Sequence, residues 1–414
     1  MRTDTLEILR CPYCGGRLEL VESMPHRLDA GEILDGVLGC HCCIFPVVAG
    51  IPVMHLLPES VQAREAVEAG DFDAAFRALI APEDEETSAR FQELTRRPDV
   101  TYRELVDALG GGFEGGYFLY RFSDPSYVVA SAVVGAVAGT IMSQGGRAVD
   151  ICGGSGHLTR TLLGLSSEPP VIADLFFAKL WLAARYVAAG CEPVCCDGNA
   201  PLPFARGAFS YAMCADAFMF IWTKRQLVTE MLRLIDRPGP GAAVITHAHN
   251  QLVWSPSHGN PLPPEGYRDL FETLRPRVYA EAALLDDMVG GGPLDLSRQD
   301  DAATLEADAA LTIVASRDLA VFRAHAIVSD PAIRGRLRLN PLYAAERDSG
   351  GLSLRLSFPS EDYEDEYGAC RRYLPEDLTL DRATLDEVAA GTRSPRVVEL
   401  LRRRVVLDVP HRYC

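Results

Sequence analysis

A glycine-rich turn is the most informative chemical feature of this sequence. Residues 149–158 read VDICGGSGHL, a short apolar run that ends in Asp150 and breaks into glycines before a helix predicted over 158–165. Gly153, Gly154 and Gly156 have no Cβ, so the turn can adopt positive φ and let a ligand approach the backbone closely. The free N–H groups that begin the helix favour electron-rich ligand atoms. The pattern therefore predicts a loop that binds a nucleotide cofactor.

The order of the acid and the glycines decides which cofactor the loop suits. A dinucleotide-binding loop reads GxGxxG and has its acid roughly 20 residues later. Here Asp150 comes first, and Cys152, Gly154 and Gly156 follow in a CxGxG pattern. The segment resembles motif I of the class I S-adenosylmethionine (SAM)-dependent methyltransferases, which usually have glycine at the Cys152 position. The resemblance implies an α/β fold with a doubly wound, seven-stranded Rossmann-like methyltransferase sheet, and SAM as the cofactor.

Three further strand ends follow in the order of that family. Strands are predicted over residues 171–174, 192–196 and 209–214. The resemblance implies that Asp174 binds the two ribose hydroxyls and that Asp197 accepts a hydrogen bond from the adenine amine. The cofactor contacts that it implies are Tyr117, Arg121, Asp150, Cys152, Gly153, Gly154, Gly156, Asp174, Leu175, Asp197, Gly198, Asn199, Ala215 and Asp216. As alternatives, Asp150 and Asp174 are helix N-caps of an ordinary α/β domain, and Asp197-Gly198 is only a turn.

His247 and His249 are the candidate catalytic residues. They come just after a fifth strand predicted over 242–246, at the carboxyl edge of the sheet where open α/β folds bind ligands. Histidine has a suitable pKa to take a proton from a hydroxyl, an amine or an acidic carbon. Transfer from an electrophilic sulfonium also proceeds by alignment alone, so the sequence leaves the need for a base open.

Residues 59–144 are predicted to form a helical linker or lid. Helical periodicity runs over 61–80, 83–94 and 127–142. Segments just before motif I often cover the cofactor in the family that the loop resembles. This places Tyr117, Tyr120 and Arg121 over the methionine end of SAM, with Arg121 facing its carboxylate. Ordinary helix packing is the alternative.

Four cysteines near the start of the chain have the spacing of zinc ligands. Cys11 and Cys14 form one CxxC pair, and Cys40 and Cys43 form a second. Two such turns brought together by a small sheet make a closed tetrahedral site of four thiolates, whose binding energy stabilises a unit too small to fold alone. The predicted Zn²⁺ is structural. Cys42 or His41 can replace Cys43 as fourth ligand, and four unligated cysteines are the alternative.

The flanks of these cysteines support a division into domains. LEILRCPYC (6–14) and FPVVAGIPVM (45–54) resemble the zinc-ribbon domain of the small activator subunit of tRNA, rRNA and release-factor methyltransferases. The predicted domains are a zinc ribbon over 1–58, the helical lid over 59–144, a methyltransferase domain over 145–330 and an α+β C-terminal subdomain over 331–414. The last either completes the acceptor pocket or mediates a homodimer.

Composition and charge narrow the range of partners and locations. The chain has 414 residues, 12 cysteines and a net charge of −17. No signal-type segment and no apolar run of roughly 20 residues is expected to span a membrane, so a cytoplasmic location is predicted and the cysteines are read as thiols or metal ligands. The negative charge disfavours nucleic acid, because phosphate-backbone binding needs a basic footprint.

Together these patterns predict a SAM-dependent methyltransferase that acts on a small-molecule or peptide acceptor in specialised metabolism, with the ribbon as a scaffold in cis. The resemblance to the activator subunit favours a rival, an RNA or protein methyltransferase that docks its substrate through the ribbon. A SAM-binding scaffold without turnover is a second rival. The sequence leaves open whether oxygen, nitrogen, carbon or sulfur is methylated.

Overall fold

The computed structural model describes residues 1–110, 115–255, 259–271, 273–327, 333–347 and 351–414, and for 115–117 the backbone alone. The chain begins with α1 (Thr3–Ile8) and a small antiparallel sheet. Its strands are β1 (Glu19–Leu20), β2 (Arg27–Asp29), β3 (Glu32–Gly39), β4 (Ile44–Val48) and β5 (Ile51–Pro52), in the order β1-β3-β4-β5 with β2 beside β3. The cysteines predicted to bind zinc lie at the β3–β4 turn and in the loop after α1.

The N-terminal sheet is docked on the central domain by backbone contacts. Val53 pairs in parallel with Cys195, and the Met54 N–H donates to the Cys195 carbonyl at 2.6 Å. Leu9 forms a second bridge, to Phe204. These contacts cover the outer edge of the central sheet, which would otherwise expose unpaired backbone groups. The predicted domain boundaries at 58, 144 and 330 remain predictions.

Six helices follow: α2 (Pro58–Glu68), α3 (Phe72–Ile80), α4 (Glu85–Thr95), α5 (Tyr102–Ala108), α6 (Gly115–Tyr120) and α7 (Pro125–Met142). The helix predicted over 61–80 is two helices, because Gly70 adopts a φ of 77° and the Asp71 carboxylate caps α3 by accepting from the Ala74 N–H at 2.9 Å. The predicted apolar helix over 127–142 is confirmed as the larger part of α7.

A seven-stranded mixed sheet forms the centre of the molecule. Its strands are β6 (Ala148–Ile151), β7 (Val171–Asp174), β8 (Glu192–Cys195), β9 (Tyr211–Ala215), β10 (Ala242–His249), β11 (Arg277–Ala280) and β13 (Ala310–Ser316). The order is β8-β7-β6-β9-β10-β13-β11, and β13 runs antiparallel to both neighbours. Strand order reverses between β6 and β9, the point at which open α/β sheets bind ligands. The predicted seven-stranded Rossmann-like sheet is confirmed.

The elements around this sheet are α8 (Thr159–Leu162), α9 (Phe177–Leu182) with a π-helical turn over Ala183–Val187, α10 (Lys224–Leu234), α11 (Pro264–Asp269), α12 (Glu281–Val289), β12 (Leu294–Asp295), α13 (Ala302–Ala307) and β14 (Ala324–His325). The helix predicted over 158–165 is only α8, since Gly164 ends it with a φ of 79°. Residues 319–325 do not form a strand beside β13. Asp318 caps a 3-10 turn there, and β14 pairs with β12.

Helix α7 is apolar enough, by length and composition alone, to cross a bilayer, with a mean hydropathy of 1.6 over its 18 residues. In the fold it is a core helix. Its buried side chains, among them Val133, Val137 and Ile141, join the same hydrophobic core as Val244 of β10 and Leu284 of α12. Burial in this core accounts for the apolar composition of the helix.

The C-terminal part has the predicted mixture of helices and strands. It contains β15 (Arg336–Leu339), β16 (Tyr343–Arg347), β17 (Gly351–Leu356), α14 (Glu361–Tyr367), β18 (Asp377–Asp381), α15 (Arg382–Ala390), α16 (Pro395–Arg402) and β19 (Val406–Val409). It is fixed to the central domain by buried polar contacts. Arg160 of α8 forms an ion pair with Asp408 at 2.5 Å, and the Tyr413 hydroxyl donates to the Phe118 carbonyl at 2.6 Å.

Candidate active site

Three residues with left-handed backbone mark the carboxyl edge of the central sheet. Cys152 follows β6 with a φ of 59°, Asp216 follows β9 with 52°, and His247 lies near the end of β10 with 51°. They are three of the six non-glycine residues with positive φ in the described ranges, and their strands are neighbours. Such backbones cost about 1–3 kcal/mol each and concentrate at functional sites. This edge is therefore the candidate active site.

Asp174 fixes the glycine-rich loop from the end of the neighbouring strand. Its Oδ2 accepts a hydrogen bond from the Gly154 N–H at 2.9 Å, and its Oδ1 accepts one from the Phe176 N–H at 2.9 Å. The Asp174 residue is only 8% exposed. A carboxylate oxygen can accept more than one hydrogen bond. Asp174 therefore lies beside the glycine-rich loop, and its contact with ribose hydroxyls stays a prediction.

At two positions of the loop there is no room for a Cβ atom, so only glycine fits. A Cβ at Gly153 would lie 2.9 Å from the Asp150 carboxyl carbon, and one at Gly156, whose φ is 81°, would lie 2.9 Å from the Ala183 Cβ. The Cys152 side chain is accommodated because the opposite residue, Gly198, has no side chain. A Cβ on Gly198 would lie 3.0 Å from the Cys152 Sγ.

Asp150 lies beneath the loop rather than in its opening. It is 1% exposed, its Oδ2 accepts from the Thr159 hydroxyl at 2.6 Å, and its Oδ1 has no hydrogen-bond partner within the described residues. Burial raises the pKa of Asp150 to about 7, and the nearby Asp174 carboxylate adds to the rise. Asp150 therefore braces the loop and holds a proton in the folded state under mildly acidic conditions.

This shift predicts a pH-dependent contribution to stability. Between the unfolded pKa of about 4 and the folded pKa of about 7, the folded state retains a proton that the unfolded state has lost, so stability falls as pH rises. Asp150→Asn keeps an acceptor for Thr159 but does not titrate. We expect wild type and variant to be similarly stable at pH 5, and the variant to be more stable at pH 8 by a few kcal/mol. Urea unfolding at both pH values measures this, and an unchanged difference between them would contradict it.

The segment after β8 is held mainly by its own polar contacts. The Asn199 N–H donates to the Asp197 Oδ1 at 2.8 Å, and the Asn199 Oδ1 accepts from the Trp222 N–H at 2.7 Å. Asn199 therefore connects this segment to the loop after β9. Leu175 accepts a weak hydrogen bond at its carbonyl from the Cys195 thiol. Contacts of Asp197, Gly198, Asn199, Leu175 and Ala215 with a cofactor stay predictions.

Arg121 has carboxylate partners within the protein. It is 4% exposed, and its guanidinium lies 2.7 Å from the Asp124 carboxylate and 3.2 Å from that of Asp216. This network connects the amino end of α7 to the carboxyl end of β9. Tyr120 packs edge-on against Tyr363 of the C-terminal part. The side chain of Tyr117, the other residue predicted to cover the cofactor, lies outside the described residues.

The two histidines are in different electrostatic environments. The His247 Nδ1 lies 2.9 Å from the Glu281 Oε2, and its Nε2 lies 3.9 Å from the Asp216 Oδ1. Burial lowers the pKa of His247, but the Asp216 and Glu281 carboxylates outweigh burial and raise it to about 9. Burial and the neighbouring His247 lower the pKa of His249 to about 4. At neutral pH His247 is a cation and His249 is uncharged.

Sequence reasoning missed three side chains at this edge. Glu281 lies 34 residues from His247 along the chain, so spacing gave no signal for it. Phe118 lies over the loop, 3.6 Å from the position of a Cβ on Gly154. Phe176, two residues after Asp174, is 54% exposed. The sequence did show an aromatic residue this close to a candidate ribose ligand, but its exposure is known only from the structure.

Four thiols at the tips of the N-terminal sheet form a candidate metal site. The Sγ atoms of four residues all lie within 4.8 Å of one another: Cys11, Cys14, Cys40 and Cys42. The fourth member is Cys42, one of the alternatives that the sequence left open, in place of Cys43. In the tight turn between β3 and β4, the Cys40 N–H pairs with the Cys43 carbonyl at 2.9 Å, which leaves Cys42 at the tip. Four thiols at this separation fit a tetrahedral Zn²⁺.

A cavity of about 890 Å³ lies along the face of α7 that turns away from the sheet. The C-terminal part supplies much of the opposite wall, including Arg403 and Arg404. Tyr127 lines the cavity and lies between two cations, with its ring centre 5.8 Å from the Arg121 Cζ and 5.5 Å from the Arg404 Cζ. One end of the cavity therefore adjoins the Arg121–Asp216 network.

Comparison with known proteins gives weak matches. No family model matches the chain, and no curated protein matches it. The similar solved structures include the YcgJ protein of Bacillus subtilis, at 16% identity and a TM-score of 0.30 over 41% of this chain and 91% of that one. They also include a SAM-dependent methyltransferase of Thermotoga maritima, described as a possible histamine N-methyltransferase, at 13% identity and a TM-score of 0.33 over 52% and 98%.

A third similar structure is the geranyl diphosphate C-methyltransferase of Streptomyces coelicolor A3(2), at 15% identity and a TM-score of 0.32 over 44% of this chain and 75% of that one. Solved structures similar to this chain thus include SAM-dependent methyltransferases. At these identities and TM-scores they assign neither an acceptor nor a reaction to it.

Proposed function

We propose that this chain is a SAM-dependent methyltransferase that acts on a small-molecule acceptor. One observation carries the proposal: the Asp174 carboxylate closes β7 and is hydrogen-bonded to Gly154 of the glycine loop that follows β6. The loop and the carboxylate lie beside the strand-order reversal of the sheet, where a nucleoside would have both within reach.

In this proposal the chain binds and orients, and the cofactor supplies an electrophilic methyl group. Asp174 accepts from the ribose hydroxyls, Asp197 accepts from the adenine amine, and Phe118 shields the loop from water. Arg121 is occupied by Asp124 and Asp216, so we propose that it positions Asp216 rather than the cofactor carboxylate. The histidine pair then lies on the acceptor side of the same edge.

The cavity along α7 supports a small acceptor. Its volume of about 890 Å³ lies within the usual range of roughly 300–1,000 Å³ for small-molecule sites. Arg403 and Arg404 favour an acceptor that carries a negative charge. The net charge of −17 weighs against a nucleic-acid acceptor, and a peptide with an acidic residue is compatible with the same cations.

The four thiols at the N-terminal turns are proposed to hold a structural zinc ion. All four positions of a tetrahedral ion are taken by Cys11, Cys14, Cys40 and Cys42, so the site has no open position for chemistry. The zinc would stabilise the sheet that covers the edge of β8. A docking role for this sheet belongs to the rival proposal of an RNA or protein methyltransferase.

Calorimetry and product analysis test the proposal on the full chain. We expect SAM to bind with measurable heat and S-adenosylhomocysteine to form when a small acidic acceptor is supplied. Binding of bulk RNA at physiological salt, with methyl transfer to it, would favour the rival enzyme. Cofactor binding without turnover on any acceptor would favour a scaffold, and no heat on adding SAM would reject all three.

A further inference from the structure

Asp216, His247 and His249 form a cluster of metal-ligating side chains at the carboxyl edge of the sheet. One carboxylate oxygen and one ring nitrogen of each histidine lie within 4.8 Å of one another. The His247 Nε2 and the Asp216 Oδ1 are 3.9 Å apart, too far for a hydrogen bond. A tetrahedral ion with the usual zinc bonds of about 2.0–2.2 Å to nitrogen and oxygen needs these atoms roughly 3.3–3.6 Å apart, so a small approach of the two side chains would complete the site.

The backbone of β10 is distorted where it presents the two histidines. The pairing of β10 with β13 shifts register between Ile245 and Ala248, and His247 lies inside this bulge with a φ of 51°. A regular strand would point residues 247 and 249 to the same face at a larger separation. Bulges often re-aim a side chain beside a functional site. Here the two imidazole ring centres lie 5.1 Å apart.

Each ligand is held by a second polar contact. Glu281 accepts at the His247 Nδ1, 2.9 Å away, and is itself fixed by the Thr312 hydroxyl at 2.8 Å. This is the carboxylate contact that orients histidine ligands in metal sites and leaves Nε2 for the ion. The Ser255 hydroxyl lies 3.2 Å from the His249 Nδ1. Arg121 contacts the Asp216 Oδ2 at 3.2 Å, and the Asp216 Oδ1 lies 3.9 Å from the His247 Nε2.

The local charges also suit a divalent cation. Asp216 and Glu281 are buried carboxylates that contact the histidine pair, and Arg121 shares its charge between Asp216 and Asp124. With Arg121 and Asp124 counted as a neutral pair, and with the proton that His247 gives up on binding a metal removed, the other two carboxylates carry two negative charges. Buried charges are costly unless they are paired or bind a metal ion.

We propose that Asp216, His247 and His249 bind a divalent transition-metal ion, such as Zn²⁺, at a site separate from the four thiols. Imidazole and carboxylate ligands together suit zinc and the other divalent ions of the first transition row. The binding itself stands on the geometry of the cluster. Its role rests on the proposed function: the open coordination positions hold an oxygen atom of the acceptor beside the methyl donor.

Metal content of the full chain tests this site. After incubation with Zn²⁺ and desalting, we expect about two equivalents in the wild type, because the thiol and histidine sites each hold one ion. His249→Ala should retain about one equivalent, and Cys14→Ser should also retain about one. His26→Ala, which removes an exposed histidine outside both clusters, is the matched control and should retain two.

A conservative variant tests the site even if His249→Ala misfolds. Glu281→Gln keeps the size of the side chain but loses its charge. In a chelator competition, we expect it to weaken ion binding at the histidine site by about 10–100-fold and to leave ion binding at the thiol site unchanged. Equal metal content in His249→Ala and His26→Ala, or a single equivalent in the wild type that is lost from Cys14→Ser and kept by His249→Ala, would overturn the proposal. SAM calorimetry on the same samples tests the proposed function separately. Two equivalents without SAM binding would reject only the methyltransferase. SAM binding with metal content that His249→Ala does not change would reject only the histidine site.

Discussion

Asp174→Asn is expected to weaken SAM binding by about 100-fold or more while the protein stays folded. The substitution removes the negative charge of the carboxylate group. This group accepts hydrogen bonds from the Gly154 and Phe176 N–H groups and would accept them from the ribose hydroxyls. Hydrogen bonds to a charged group contribute about 1.5–3 kcal/mol each, and two of them correspond to at least two orders of magnitude in Kd. Calorimetry with SAM measures the change, and circular dichroism checks the fold.

Asp381→Asn is the matched control for this variant. Asp381 also accepts from a backbone N–H, that of Thr384 at 2.8 Å, but it caps α15 in the C-terminal part. The control should bind SAM as the wild type does. If Asp174→Asn binds SAM with unchanged affinity, the assignment of the cofactor site is wrong.

Cys42→Ser is expected to remove the ion of the thiol site and to lower the Tm by about 5–10 °C. Loss of one of four thiolates opens a closed structural site whose binding free energy supports folding, and each kcal/mol corresponds to a few degrees in a protein of this size. The destabilisation should spread beyond the N-terminal sheet, because Val53 and Met54 pair with Cys195 at the edge of the central sheet. Elemental analysis and thermal unfolding measure both effects.

Cys43→Ser is the control that decides whether Cys42 or Cys43 is the fourth zinc ligand. The CxxC spacing predicts that Cys43 is the fourth ligand, whereas the structure groups Cys42 with Cys11, Cys14 and Cys40. We expect Cys43→Ser to retain its zinc and most of its stability. The reverse result, with zinc lost from Cys43→Ser and kept by Cys42→Ser, would restore the pairing that the spacing suggests.

The sequence determined the central sheet because local patterns specify it. Short buried runs that end in Asp150 and Asp174, followed by glycines or polar turns, fix where parallel strands end, and those ends meet at one edge. Gly153 and Gly156 were readable for the same reason, since only glycine fits where a Cβ would collide with a neighbour. The order of the motifs along the chain therefore predicted both the fold class and the edge that carries the candidate site.

Only the tertiary structure decided which side chains meet at that edge. Glu281 contacts His247 across 34 residues, and Ser126 reaches Asp216 across 90, so neither contact leaves a trace in local spacing. The choice of Cys42 over Cys43 depends on the hydrogen-bonded register of one hairpin, and the aim of His247 depends on a bulge in β10. Register and long-range packing come from the whole folded chain, whereas the residue types and strand ends that place the glycine-rich loop are local properties of the sequence.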